Sequence, residues 1–309
     1  MLGAHTRKTT ANQRWFFAFG ADGGLYNMVM VQFSHDPIVE RLRWVVLAAM
    51  LFSVINTLAG QPESYWHHPE TAIRGDGMSI ANPTNPTFNF FLGHGWLAYL
   101  GASVAYLAAA FLILSMLPRM AALMAAFAIL FGHFFGTANW LCIRWHLGMP
   151  AFAIYGALLG AALASAAFPE ARAAAHTVKR LRWVMLTAIF LDFTVTLLGQ
   201  PASYWLHPET AQEADQLFRI FMLRGWTASV LYELFYLALA FLLVSTLSST
   251  PALIALFAYL FGHFYGTSTW LFFHWKLGME APVAYGVLLS AILVLLAFSK
   301  RDVRRDRLL

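Results

Sequence analysis

Charged residues are scarce in this chain, and their scarcity excludes an ordinary soluble domain. Only 11% of the 309 residues are Asp, Glu, Lys or Arg, whereas 60% are hydrophobic. Soluble globular proteins carry about 25% charged residues. The mean hydropathy of +0.61 agrees with this contrast. The composition therefore predicts a protein that crosses a lipid bilayer several times.

Cysteine is nearly absent, since Cys142 is the single example. One thiol excludes an intramolecular disulfide, a Cys-x-x-Cys redox motif and a cysteine-based zinc finger. The sequence also lacks the motifs of serine hydrolases, zincin proteases and phosphate-binding loops, and a dinucleotide-binding glycine turn after a strand. The net charge of +5 does not indicate a nucleic-acid partner, because the basic residues fall at the ends of apolar runs.

Long apolar runs are what the chain does contain. About 20 apolar residues suffice for a transmembrane helix. Tight turns between neighbouring runs are marked by Pro118 and Pro251. We therefore predict an all-α, polytopic membrane bundle of about eight transmembrane helices. The runs are roughly 43–60, 95–117, 119–142, 150–168, 182–199, 225–247, 252–273 and 281–299.

The sequence contains an internal duplication. Residues 60–72 read GQPESYWHHPETA, and residues 199–211 read GQPASYWLHPETA. Identity extends to 20 of 32 positions around this motif and to 13 of 20 positions between 130–149 and 260–279. Each copy holds four predicted helices, so both point the same way, as in transporters with parallel repeats. We predict a tandem duplication of a four-helix unit.

The duplication and the polar stretches divide the chain into five predicted segments. They are an N-terminal cytoplasmic or interfacial segment 1–40, a first repeat 41–169, a cytoplasmic linker 170–179, a second repeat 180–299 and a basic cytoplasmic tail 300–309.

The basic residues set the orientation. With the N-terminus inside, 15 of the 20 Lys and Arg residues lie on the cytoplasmic side, as the positive-inside rule requires. This distribution predicts a bacterial inner-membrane protein with both termini in the cytoplasm. Asp22 and three glycines interrupt the apolar stretch 15–33. We expect that stretch to lie on the membrane surface; a further span is the alternative.

The repeated motif, which then lies on the outer face, has two interpretations. Tyr and Trp prefer the headgroup region, and His-Pro-Glu is typical of the start of a short helix. The motif is then an interfacial anchor. Alternatively it is a lid whose His and Glu face a ligand. The residues concerned are Tyr65, Trp66, His68 and Glu70 in the first copy, and Tyr204, Trp205, His207 and Glu209 in the second.

A second repeated motif lies inside a predicted helix. It reads GHFFGT at 132–137 and GHFYGT at 262–267. Glycines four residues apart favour close helix packing. A histidine within a membrane helix is a functional-site hypothesis, and a neutral, hydrogen-bonded histidine is the plain alternative. His133 and His263 could also be axial ligands of a tetrapyrrole. Thr137 and Thr267 close the motif.

The two repeats differ in charge. Asp192 and Glu233 occupy positions where the first repeat has Ser53 and Ser103. With His263 they lie seven residues from the predicted outer boundary, at a depth of about 10 Å. We predict a site of catalysis or ligand binding in the second repeat, with Asp192, Glu233, His263 and His133 as candidate metal ligands. The other predicted ligand-binding residues are Arg224, Tyr232, Tyr265 and Thr267, beside the second copy of the outer motif.

Three functions fit this pattern. The first is an outward-facing polar and aromatic cavity that binds a small ligand, an ion or a proton for transport or sensing. The second is a membrane-embedded enzyme with an Asp, Glu and His metal or acid–base site. The third is a structural or pigment-binding subunit of a larger membrane complex. The sequence does not indicate the oligomeric state, and the lipid bilayer is the predicted partner.

Overall fold

The computed structural model describes residues 36–74, 86–213 and 215–298, which are helical with no β-strand. The predicted interfacial stretch 15–33 and the basic tail 300–309 lie outside these residues. The described ranges form α1 (Pro37–Ala59), α2 (Pro86–Gly93), α3 (Trp96–Met116), α4 (Arg119–Asn139), α5 (Gly148–Ala167), α6 (Ala171–Leu198), α7 (Gln216–Met222), α8 (Trp226–Thr246), α9 (Ser249–Thr269) and α10 (Glu280–Phe298).

Seven of these helices are long and apolar enough to cross a bilayer: α1, α3, α4, α5, α6, α8 and α10. The chain is therefore an integral membrane protein. Helix α9 occupies the predicted span 252–273, but its 21 residues are not apolar enough to join this set. Tyr259, His263, Tyr265 and the run Thr267–Thr269 lower its hydropathy.

Two helices begin earlier than the apolar pattern predicts. Helix α6 starts at Ala171, so the predicted linker 170–179 forms its first turns. This stretch contains no Gly or Pro, and its Ala, Lys and Arg residues favour helix. Helix α1 starts at Pro37, where the Asp36 carboxylate accepts hydrogen bonds from the backbone N–H groups of Ile38 (2.9 Å) and Val39 (3.2 Å).

The two halves of the bundle share one core. Helix α9 packs mainly against α6 and α5, and α4 packs mainly against α1 and α10. The last helix of each half therefore lies against a helix of the other half. Phenylalanine rings fill the centre, where the ring centroids of Phe131 and Phe264 are 4.7 Å apart and those of Phe134 and Phe261 are 4.8 Å apart.

The close approach of α5 to α9 involves Gly156 and Gly160, a pair of glycines four residues apart that lies outside the repeated motifs. A Cβ at Gly160 of α5 would lie 2.9 Å from the Ile254 carbonyl oxygen of α9. By contrast, a Cβ at Gly132 of α4 would meet nothing within 4 Å. The prediction that Gly132 is a packing contact is wrong, because its Cα faces open space. The close approach joins α5 to α9.

The Gly160→Ala substitution is expected to destabilise the protein by about 1–3 kcal/mol, because the new methyl group presses on backbone. Gly132→Ala is the matched control. It should leave stability unchanged or raise it by about 0.5–1 kcal/mol, since alanine favours helix. Thermal unfolding in detergent measures both. Equal melting temperatures for the two variants would contradict the close α5–α9 contact.

The two copies of the outer motif form equivalent loops, at what we name the motif end of the bundle. The Gln61 side chain bonds to both backbone groups of Ile73, each at 2.9 Å, and Gln200 bonds to Gln212 in the same way, at 2.9 and 2.7 Å. Each glutamine therefore closes its loop. Tyr65 is fully buried beneath its loop, and burial raises its pKa to about 12.

Candidate functional site

A large cavity lies between α5, α6, α8 and α9, and most of its lining residues belong to the second half of the chain. Its volume is about 810 Å³, within the range of about 300–1,000 Å³ typical of small-molecule sites. Nine aromatic side chains line it: Phe134, Phe152, Phe193, Phe218, Tyr232, Tyr236, Tyr259, Tyr265 and Trp270.

Asp192 and His263 form a hydrogen-bonded pair inside this cavity. The distance between Asp192 Oδ2 and His263 Nδ1 is 2.8 Å, and the Thr267 hydroxyl donates to Asp192 Oδ1 at 3.4 Å. The Tyr236 hydroxyl lies 3.3 Å from His263 Nε2. With the proton on Nδ1, His263 donates to the Asp192 carboxylate and its Nε2 can accept from the Tyr236 hydroxyl. Both ring nitrogens are thus engaged.

Gly266 makes room for this pair. A Cβ at this position would lie 2.5 and 2.6 Å from the two Asp192 carboxylate oxygens. No real side chain tolerates that distance, so the carboxylate reaches His263 only because residue 266 has no side chain. In the first half, a Cβ at Gly136 would lie 3.9 Å from the Ser53 hydroxyl, which is ordinary contact.

Glu233 lines the same cavity and is only 7% exposed. Its Oε1 atom is buried and has no hydrogen-bond partner among the described residues. Burying an unpaired carboxylate is costly, and the cost disappears when a proton or a cation neutralises it. The first-half equivalent, Ser103, satisfies itself by donating to the Tyr99 carbonyl oxygen at 2.7 Å. Glu233 is therefore the lining group that most requires an external partner.

Carboxylates outnumber basic groups around the cavity, whose only basic side chains among the described lining are the imidazoles of His263 and His274. Four carboxylates line it, from Asp192, Glu213, Asp215 and Glu233, whereas its described lining includes no Lys or Arg. Asp215 is partly engaged, because it caps α7 by accepting from the N–H of Leu217 at 2.8 Å. Several carboxylates close together create a negative electrostatic potential, and aromatic faces attract cations. The lining therefore suits a positively charged molecule.

The structure brings together some of the sequence-predicted site residues. Asp192, Glu233, His263, Tyr232 and Tyr265 all line the cavity. Thr267 supports the site indirectly through its hydrogen bond to Asp192.

Other predicted residues lie away from the cavity. His207 and Glu209 pair with each other at 3.2 Å, with 66% and 70% of their side chains exposed. His68 and Glu70 form the same exposed pair in the first half. Tyr204, Trp205 and Arg224 are also absent from the lining, as are Tyr65, Trp66, His133 and Thr137. In this structure the loop residues hold the loop, and their His and Glu do not face the cavity.

Sequence reasoning missed two further groups of lining residues. Tyr236 lies three positions after Glu233, and Tyr259 lies four positions before His263. Helical spacing places each beside a predicted residue, so this signal was present. Phe152 and Met149 of α5 carried no such signal, because they reach the cavity only through the packing between the two halves.

The predicted metal and pigment sites find no support in this geometry. Within the described ranges, no three His, Cys, Asp or Glu side chains are placed to hold a metal ion. Tetrapyrrole ligation by His263 requires a ring nitrogen, but Asp192 and Tyr236 engage both nitrogens. In the first half, the His133 ring packs beside the Tyr106 ring, with centroids 5.9 Å apart.

The fold and the cavity together define an integral membrane protein with an acidic, aromatic cavity. No protein-family model, curated protein or solved structure matches this chain. Its function therefore has to be inferred from the cavity itself.

Proposed function

We propose that this membrane protein binds a small organic cation in the cavity of its second half, for transport or sensing. The observation that carries the proposal is Glu233, a buried carboxylate that lines the cavity and whose Oε1 has no partner within the described structure. A bound ammonium group would supply that partner. A charge-assisted hydrogen bond of this kind contributes about 1.5–3 kcal/mol.

The size and lining of the cavity support an organic cation over a bare ion or a proton alone. A volume of about 810 Å³ far exceeds the needs of a metal ion. The Tyr232 and Tyr236 rings are nearly parallel, at an interplanar angle of 14°, and they line the same cavity as Glu233. Aromatic faces near a carboxylate are a common arrangement for binding ammonium groups. An acid–base enzyme is less well supported, because His263 Nε2, the nitrogen that would exchange a proton with a substrate, lies 3.3 Å from the Tyr236 hydroxyl.

The arrangement of the helices in the membrane is also inferred. We infer a tandem duplication of a four-helix unit, with α9 added to the seven apolar helices to give eight spans, parallel repeats and both termini in the cytoplasm of a bacterium. Matching local contacts support the duplication. The Trp140 ring lies directly against Gly60, and the Trp270 ring lies against Gly199 in the same way. In this orientation the cavity is nearest the outer face at its Glu213 and Asp215 side.

Binding of benzyltrimethylammonium to the purified protein tests the proposed function. We expect this cation to raise the melting temperature in a saturable way, because a ligand that binds only the folded state stabilises it. Neopentylbenzene, which has nearly the same shape but no charge, and benzenesulfonate, which is anionic, should have little effect. Equal stabilisation by all three compounds would contradict a cation site.

A further inference from the structure

The cavity continues well beyond its acidic residues. On α9 its lining runs along one face through Ala255, Ala258, Gly262 and Gly266, and it continues past the end of α9 to His274. The 14 residue steps of α9 from Ala255 to Thr269 measure about 21 Å. The part between Ala255 and His263, which we name the lower groove, is about 12 Å long. A ligand that fills the whole cavity is therefore elongated.

The lower groove has a mainly apolar lining. Its lining on α9 is Ala255, Ala258, Tyr259 and Gly262, with Ile189 from α6 and Tyr236 from α8. The only polar side-chain atoms in this set are the two tyrosine hydroxyls, and Tyr236 directs its hydroxyl to His263. The lower groove thus suits a hydrocarbon chain, whereas the carboxylates above it suit a positively charged head.

The lower groove is also open along its side. Helix α5 packs mainly on α9 and α1, and α8 packs mainly on α6, α7 and α9, without extensive contact between α5 and α8. Ala153 of α5 lines the cavity and is exposed, and none of Ala255, Ala258 and Gly262 is fully buried. In a bilayer this opening faces lipid chains.

We propose that the ligand is a membrane-dissolved cationic amphiphile, with its ammonium head at Glu233 and its alkyl chain in the lower groove. This inference rests on the proposed function and specifies its ligand class. Glu233, the buried carboxylate without a partner at Oε1, fixes the position of the head. The length and apolar lining of the lower groove fix the chain at about ten carbons, given the 12 Å estimate from helix rise. The side opening gives the chain access from the bilayer.

A chain-length series tests the inference. The probes are tetramethylammonium, hexyltrimethylammonium and decyltrimethylammonium, with binding measured by calorimetry in one detergent. In the wild-type protein the affinity should rise with chain length, by up to about fourfold for each added methylene. Decanol, which has the chain without the charge, should bind far more weakly than decyltrimethylammonium.

Two substitutions shorten the lower groove by different amounts. Leucine at position 262 closes it just below His263, and the nearest atom to its Cβ is Phe152 Cζ at 3.6 Å, which leaves room for folding. Gly262→Leu should reduce decyltrimethylammonium affinity to the level of tetramethylammonium. Ala255→Leu closes only the far end, so it should weaken binding of the decyl probe and spare the hexyl probe. Gly132→Leu, the equivalent change in the first half, should alter neither.

Different binding results would contradict the amphiphile alone or the cation site as well. Wild-type protein that binds tetramethylammonium with no gain from longer chains would overturn the amphiphile while leaving the cation site intact. The amphiphile is likewise overturned if Gly262→Leu and Ala255→Leu both leave decyltrimethylammonium binding unchanged, or if decanol binds as tightly. Wild-type protein that binds neither tetramethylammonium nor benzyltrimethylammonium would overturn both the inference and the proposed function.

Discussion

Replacing Glu233 with glutamine is expected to weaken benzyltrimethylammonium binding by about 10- to 100-fold, since a charged hydrogen bond of about 1.5–3 kcal/mol is lost. The amide keeps the shape of the side chain but not its charge. Stability without ligand should be unchanged or higher, because the substitution removes a carboxylate whose Oε1 has no partner in the described structure. Calorimetry and thermal unfolding measure the two effects separately.

The matched control is Glu209→Gln, which removes the same charge from an exposed loop side chain outside the cavity. It should leave the affinity within about twofold, because exposed ion pairs contribute little. A purely packing role for Glu233 predicts the opposite pattern, with reduced stability and unchanged affinity. That result would refute the assignment of Glu233 as the group that binds the cation.

The second large effect is expected from a single methyl group at position 266. The Gly266→Ala substitution places a Cβ 2.5 Å from Asp192 Oδ2, so the carboxylate has to rotate away and lose His263. We expect a stability loss of about 1–3 kcal/mol from overpacking and at least tenfold weaker binding of benzyltrimethylammonium. Thermal unfolding and calorimetry on the purified variant check both.

Gly136→Ala is the internal control, because the nearest atom to its Cβ is the Ser53 hydroxyl at 3.9 Å. It should be neutral or slightly stabilising. The double variant Gly266→Ala with Asp192→Ser reproduces the shorter side chain of the first half. This variant should regain stability without regaining cation binding, which is the non-additivity expected for residues in contact. Full additivity would mean that the methyl group and Asp192 do not interact.

The long helices and the acidic residues were within reach of sequence reasoning. Each apolar run coincides with one long helix of the structure, although α1 and α6 begin earlier than their runs. Asp192, Glu233 and His263 stood out because polar groups inside membrane helices are costly. Comparison between the two halves of the sequence added the contrast with Ser53 and Ser103. Their shared depth then predicted a common location for the three residues, and the cavity contains all three.

The shape of the cavity could not be predicted from the sequence, because it depends on contacts between the two halves. Nothing in the sequence indicates that Phe152 of α5 faces residues of α9. The sequence also did not indicate what each glycine packs against. Gly136 and Gly266 are equivalent positions of the repeated motif, yet a Cβ at Gly136 would lie 3.9 Å from its nearest neighbour, whereas a Cβ at Gly266 would lie 2.5 Å from Asp192. Equal sequence spacing does not fix what lies opposite a helix face.

The last helix of each half, α5 or α10, packs against the other half. Under the proposed duplication, this arrangement suggests how such a chain arises. An unfused four-helix unit would bury α4 only by swapping its last helix with a second copy, which is the usual route to a domain-swapped dimer. Fusion of two copies keeps the swapped helices within one polypeptide. It also allows equivalent positions in the two halves to hold different residues. One half can then hold Asp192 and Glu233 while the other keeps Ser53 and Ser103. The membrane thus has to accommodate only one pair of buried acids.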